Sequence, residues 1–234
     1  LIESASNFAL YGFPESHSAS FALLVYVSCW LKYHTPAAFT CALLNSQPMG
    51  FYSASQLVQD VRRHGVEVNA VDINHSDWDC SLEHGEGSAA VLRLGLRMVK
   101  GLSEEAGRRI VAERAHGEYR QVQSLLELNV LATSGALRAL AGDRHRARWA
   151  VAGAEKPLPL FQSMQRFEAT PMLKQPTEGQ NIVADYQSTG LTLERHPMCL
   201  LRRHLDRYNY VAAAVLPSQQ NGQAINVAGL VITK

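Results

Sequence analysis

From Phe21 onward the apolar residues Phe21, Leu24, Val25 and Leu31 recur at the three- and four-residue spacing of an amphipathic helix, and Ser16 is placed to cap it. Thr35-Pro36 predicts the start of a second helix. Thr offers a capping oxygen there, and Pro at the first helical position sacrifices no intrahelical bond. Phe39, Ala42 and Leu43 form the expected inward face. The third helix begins at Ser53, where Ser53-Ala54-Ser55-Gln56 fits a capping box. It turns Leu57, Val58 and Val61 inward and stops at Gly65, which suits the left-handed position after His64. Together these elements predict a helical subdomain over residues 8–65.

Downstream the period changes. The β-branched pieces Val66 to Val68 and Val71 to Ile73, then Ala90 to Leu96 behind the turn Gly85-Glu86-Gly87, predict a small connector with extended structure. A helix-turn-helix pattern runs from Val99. Residues 155–180 lose periodicity and gather Pro157, Pro159, Pro171 and Pro176, the pattern of a linker. Helical character returns from Asn181 to Leu205 around Pro197, and Ala224 to Thr233 alternates like a strand. No internal repeat suggests a solenoid.

Composition excludes disorder: 47% of the residues are hydrophobic and 18% charged, ordinary values for a chain with a real core. A net charge of +1 gives no global pull toward nucleic acid, so any such contact has to be local. Cys29, Cys41, Cys80 and Cys199 are scattered and form no C-x-x-C pair, so reduced, buried thiols are expected rather than a zinc or redox site. The longest apolar run, Phe21 to Leu31, is too short to span a bilayer and contains Ser28, and no signal sequence opens the chain. The expectation is a soluble cytoplasmic protein without membrane partners.

Three segments could carry chemistry. The run Val99-Lys100-Gly101-Leu102-Ser103-Glu104-Glu105-Ala106-Gly107-Arg108-Arg109 resembles a helix-hairpin-helix motif, with Ser103 where the second glycine is usual. A glycine turn at a helix start exposes backbone N–H groups to a phosphate oxygen, and Lys100, Arg108 and Arg109 could add charge. The plainer reading is a turn capped by Ser103 with solvated arginines. Arg138, Arg144, His145, Arg146 and Arg148 form a basic patch against Asp143, with Trp149 beside it; Arg144 and Arg146 are its candidate phosphate contacts. Asp77-Trp78-Asp79 has the spacing of a Mg²⁺-holding carboxylate pair, but the pattern is common by chance and loop capping is the better reading.

A family resemblance covers nearly the whole chain. The stretch Tyr11-Gly12-Phe13-Pro14-Glu15-Ser16-His17 running into Trp30-Leu31-Lys32, followed in order by Val71-Asp72-Ile73-Asn74, Val99-Lys100-Gly101-Leu102, Gly190-Leu191 through His196-Pro197 and Val227 through Val231, resembles the bacterial polymerase III α-subunit family. Asn45-Ser46-Gln47-Pro48-Met49-Gly50-Phe51-Tyr52 and Asn74 through Cys80 look most like its error-prone, damage-associated branch. The resemblance implies a mainly α fold with small β elements. Its parts would be the polymerase fingers over 1–70, a connector over 71–98, a helix-hairpin-helix DNA-binding region over 99–154, a linker over 155–180, a helical connector over 181–223, and the first strand of an OB-type barrel over 224–234.

By the same resemblance the chain is a fragment, inactive alone, of an enzyme that carries Mg²⁺ in a palm outside it; no cofactor is expected in the fragment itself. Ser16 and His17 would lie near the incoming dNTP, Lys32 near template or primer phosphate, and primer-template DNA would be the main partner, with damage-response accessory proteins beyond it. Where the family places a second helical hairpin, Gln123 to Leu131 runs almost directly into Ala132-Thr133-Ser134-Gly135-Ala136-Leu137, a departure of about one helix from its pattern. Lys156 through Phe161 stands where replicative relatives carry a clamp-binding peptide, but Pro157 replaces its opening glutamine, so an ordinary linker outweighs a sliding-clamp contact. The competing functional class is a free-standing, non-catalytic DNA-binding or adaptor module built on the same hairpin.

Overall fold

The computed structural model describes residues 15–50, 52–85, 89–114, 127–153 and 171–230, and the side chains of the first helix from residue 18. Helices dominate and the sheets are small, as the pattern predicts. The chain divides into two units, one of residues 1–68 and 81–92, the other of residues 69–80 and 93–234.

In the first unit, helix α1 (Glu15–His34) is followed by α2 (Pro36–Asn45) and α3 (Ala54–Arg63). The capping box on α3 forms as expected: Ser53 Oγ accepts from Gln56 N, and the Gln56 side chain accepts from Ser53 N. Gly65 follows with φ +81°, and Val58 and Val61 are buried. Two expected details differ. The Thr35 hydroxyl does not cap α2; it donates back to Leu31 O at 2.9 Å, closing the end of α1 instead. The buried face of α2 is Ala37, Thr40 and Leu44, while Ala42 is exposed.

Helix α1 departs further from expectation. Its predicted inward residues Phe21, Leu24, Val25 and Leu31 are exposed, as are Leu23, Tyr26, Trp30 and Tyr33. Apolar residues surround the helix instead of keeping to one face, so no orientation hides them all. Three short strands, β1 (Val68–Asn69), β2 (Ser81–His84) and β3 (Ala90–Arg93), form a sheet in the order β1, β3, β2. Val71 to Ile73 forms no strand; Val71 and Ile73 are buried from a loop. Residues Glu86 and Gly87 of the expected turn lie outside the described residues.

The second unit holds a 3₁₀ turn (Leu96–Met98) and then α4 (Glu104–Arg114), α5 (Leu128–Ser134), α6 (Arg138–Ala141), α7 (Arg144–Ala152), α8 (Glu178–Ser188) and α9 (Pro197–Asp206). Its core gathers Ile73, Leu94, Leu96, Leu131 and Leu137, all essentially inaccessible to water. Helix α8 starts inside the stretch expected to be a linker, because Thr177 and Gln180 form a second capping box. After α9, β4 (Tyr210–Val211) pairs in parallel with β5 (Asn226–Val227), a shorter strand than the alternation from Ala224 suggests.

All four cysteines are unbridged, but only Cys80 is buried. Its Sγ accepts from Gly95 N, whereas Cys29 and Cys199 are exposed, against expectation. Among the described residues no helix is long and apolar enough to cross a membrane, and no cluster of His, Cys, Asp and Glu could hold a metal.

Candidate nucleic-acid interface

The hairpin expected at Gly101 forms. Val99 and Leu102 are buried on either side of the turn, while Lys100, Gly101 and Ser103 face solvent, and Gly101 takes the left-handed φ of +85°. An L side chain is strained there, although a Cβ would meet only Val130 methyl carbons at 3.9 and 4.0 Å. Ser103 Oγ accepts from Ala106 N at 3.2 Å and so replaces the second glycine by a cap on α4. Among the described residues the N–H groups of Gly101, Ser103, Glu104 and Glu105 find no acceptor in the protein. Four unpaired donors at a helix start form an anion-accepting surface.

The side chains around this turn are less cationic in effect than the sequence suggests. Glu104 and Glu105 occupy the first turn of α4, where they suit the helix dipole but oppose a phosphate. Arg108 meets Glu104 at 2.7 Å, Arg109 meets Glu127 at 3.5 Å, and Lys100 Nζ donates to Tyr186 O at 3.2 Å near the end of α8. All are solvent-exposed contacts, of small net worth and open to exchange for a phosphate.

A second glycine turn also forms, despite the shortened sequence before it. Gly135 ends α5 with φ +83°. Its surroundings are the opposite of those at Gly101, because Ala136 and Leu137 are fully buried, Ala136 N donates to Ser134 Oγ, and Ala136 O accepts from Ile73 N. Arg144 lies directly against the glycine, where an added Cβ would come within 2.9 Å of Nη2. Its guanidinium donates to Ser134 O, to Asn181 O and Oδ1, and to the Asp185 carboxylate. With Arg144 and Asp185 only 13% and 15% exposed, this is an internal clamp, and the phosphate contact expected of Arg144 gives way to it. The neighbouring cleft, about 290 Å³, is lined by Arg138 and Arg144 but also by Asp143, Asp185 and Glu194, so it offers an anion no net attraction.

Arg146, the other candidate on α7, is exposed and lies 3.5 Å from Asp143, whose carboxylate caps the helix through His145 N and Arg146 N. In the first unit Lys32 Nζ meets Asp60 at 2.9 Å. The Lys32 hydrogen bond holds the Asp60 carboxyl below its ordinary range, helped by the charges of Lys32, His64 and Arg63 and opposed by slight burial. Ser16 and His17 fall within the first turn of α1 rather than ahead of it, and their side chains lie outside the described residues. The clamp-like stretch 156–161 lies outside them too. Asp77 and Asp79 pair with Arg114 and Arg97, each at 2.7 Å, which accounts for both carboxylates without a metal and without the expected capping. Trp78 between them packs on Gly107 of α4.

One cationic group was not singled out in the sequence. Arg202, Arg203 and Arg207 share α9 and its end with His204 and Tyr208. The signal was the dense run Arg202-Arg203-His204-Leu205-Asp206-Arg207-Tyr208, which a reading centred on glycine turns passes over.

Comparison with known proteins fits this geometry. A helix-hairpin-helix motif family matches residues 65–147, a span that includes both glycine turns. The error-prone DNA polymerase of Alkalilimnicola ehrlichii is 54% identical over 243 aligned positions covering all of this chain. Those of Methylococcus capsulatus and Pseudomonas savastanoi pv. phaseolicola are 50% and 48% identical over 97% and 99% of it. The chain spans 24% of the length of each of these relatives. Identity at that level along the whole chain, together with the helix-hairpin-helix match, makes this chain a member of the error-prone branch of the bacterial polymerase III α-subunit family, matching about a quarter of its relatives' length.

Proposed function

We propose that this chain is the part of an error-prone DNA polymerase that grips primer-template duplex through the Gly101 turn and helps position the incoming nucleotide. The observation that carries the reading is the exposed set of unpaired N–H groups from Gly101 to Glu105, in a chain half identical to proteins named error-prone DNA polymerases. Contact of that kind reads phosphate and no base, which suits an enzyme that must move along any sequence. In the intact enzyme the reaction is template-directed nucleotidyl transfer opposite damaged templates, with Mg²⁺ held in a palm outside this chain. Damage-response accessory proteins are its further partners. Helices α1 to α3 serve as part of the fingers, with Ser16 and His17 at the nucleotide and Lys32 exchanging Asp60 for a backbone phosphate, while β5 begins the OB-type domain.

Fluorescence anisotropy of the chain with a labelled primer-template duplex, taken through a salt series, tests the reading. Affinity should fall linearly on logarithmic axes, and Lys100→Ala/Arg108→Ala/Arg109→Ala should flatten the slope by about 0.9 for each phosphate contact removed. A folded chain that shows no salt-dependent duplex binding at low ionic strength would refute the duplex grip. Insensitivity to the triple variant would move it away from this turn.

A further inference from the structure

We propose that the exposed face of α9 binds single-stranded DNA. The inference rests on the reading of the chain as a polymerase segment but places a second, chemically different contact away from the Gly101 turn. Arg203 and His204 lie in the last turn of α9, Arg207 and Tyr208 in the turn that continues it through bonds from Arg207 N to His204 O and Tyr208 N to Leu205 O, and all four side chains are exposed. Guanidinium groups and rings therefore stand side by side at this end of the helix. The His204 and Tyr208 rings are already in contact, with centroids 5.1 Å apart at 64°. Asn209, the next residue, takes a left-handed φ of 57°.

Ion pairing is common among the arginines of this unit, although the exposed Arg148 on α7 also has no carboxylate partner among the described residues. Arg97, Arg108, Arg109, Arg114, Arg144 and Arg195 each have a carboxylate partner. Arg203 and Arg207 have none among the described residues, although Asp206 lies between them in sequence. Both guanidinium groups are therefore open to a polyanion, whose charge would offset their mutual repulsion. Arg202 on the same helix does not join this face: its Nη1 is shielded from water and has no hydrogen-bond partner among the described residues.

The rings decide which polyanion fits. A duplex hides its base faces and needs only charge, whereas a single strand offers unpaired bases that stack on aromatic side chains while cations follow its backbone. Arginines beside His and Tyr rings match the second description. The template strand ahead of the primer end is a single strand of this kind in the proposed reaction.

The test uses the 234-residue chain with fluorescein-labelled dT₁₂, an abasic 12-mer of equal charge, and a primer-template duplex, all by anisotropy. The expected result is tighter binding to dT₁₂ than to the abasic strand. Arg203→Ala/Arg207→Ala should lower the salt slope for dT₁₂ by about 1.4, the share of two phosphates on a single strand. His204→Ala/Tyr208→Ala should weaken dT₁₂ by about tenfold and leave the abasic strand unchanged. Arg203→Lys/Arg207→Lys, which keeps the charge, should retain the wild-type slope, and circular dichroism should show every variant folded. Duplex binding should survive the α9 changes and respond to the Lys100/Arg108/Arg109 triple variant, so failure at one site is distinguishable from failure at the other. Equal affinity for dT₁₂ and the abasic strand would overturn the stacking contact. Indifference of dT₁₂ to the arginine changes, or loss of duplex rather than dT₁₂ binding, would overturn the assignment.

Discussion

Gly101 and Gly135 hold nearly the same backbone angle, φ +85° and +83°, yet one turn opens to solvent and the other is packed against Arg144. Around Gly101 the neighbouring N–H groups have no protein acceptor, and the space over the α-carbon is clear. Around Gly135 the donors are mostly used, and Arg144 fills the space a side chain would need. A left-handed glycine therefore marks a sharp turn without saying what the turn is for. Function is set by which groups are left unpaired once the neighbours have packed: phosphate binding remains open at Gly101, whereas Gly135 serves to let a cation join α5 and α8.

The contrast is most exposed to Arg144→Ala. Removing one member of a nearly buried ion pair leaves Asp185 without its counter-charge, and the second unit should lose about 3 kcal/mol in urea unfolding followed by circular dichroism. A loss below about 1 kcal/mol, the range of a surface pair, would mean that the clamp is only a solvated contact. Next comes Gly135→Ala, which adds steric conflict with the guanidinium to backbone strain and should cost about 2 kcal/mol. Gly101→Ala should cost only the strain, about 1 kcal/mol, while weakening duplex binding, an effect Gly135→Ala lacks at temperatures where it stays folded. Equal costs at the two glycines would erase the distinction drawn between them.

The smallest effect concerns pH. Asp60 has a folded pKa below its unfolded one, so its pairing with Lys32 stabilises fully above the ordinary carboxylate range and is lost as pH falls through the lowered folded value. The pair is well exposed, so only about 0.5 kcal/mol should disappear as pH falls from above the ordinary carboxylate range through the lowered folded value. Comparison of wild type with Asp60→Asn by acid titration isolates it; a variant that loses as much stability as wild type on acidification would deny the pair its role.

Local chemistry was the legible part of the sequence. The Ser53 capping box, Gly65, the Pro36 helix start and the Gly101 turn follow from a few adjacent residues, and each forms. Burial was harder to read, because it depends on what lies across from a residue. The helical spacing of Phe21, Leu24, Val25 and Leu31 promised an inward face, but α1 is apolar nearly all round and exposes them. The candidate site shows the same limit. Lys100, Arg108 and Arg109 were visible as cations, but Arg109 meets a glutamate eighteen residues on and Lys100 a carbonyl eighty-six residues on, partners no local pattern contains. Arg144 looked like part of a basic surface until α8 supplied Asn181 and Asp185.

Trp78 rests on the bare backbone of Gly107, four residues beyond the Ser103 cap that organises the Gly101 turn. Of the three tryptophans, Trp30 and Trp149 are about half exposed, so their emission should be red-shifted relative to an indole packed on a helix. With Trp30 and Trp149 replaced by phenylalanine, the remaining fluorescence becomes an intrinsic optical probe of the hairpin. It can be followed in stopped flow without attaching a dye, and it separates the arrival of DNA at the turn from events elsewhere in the chain.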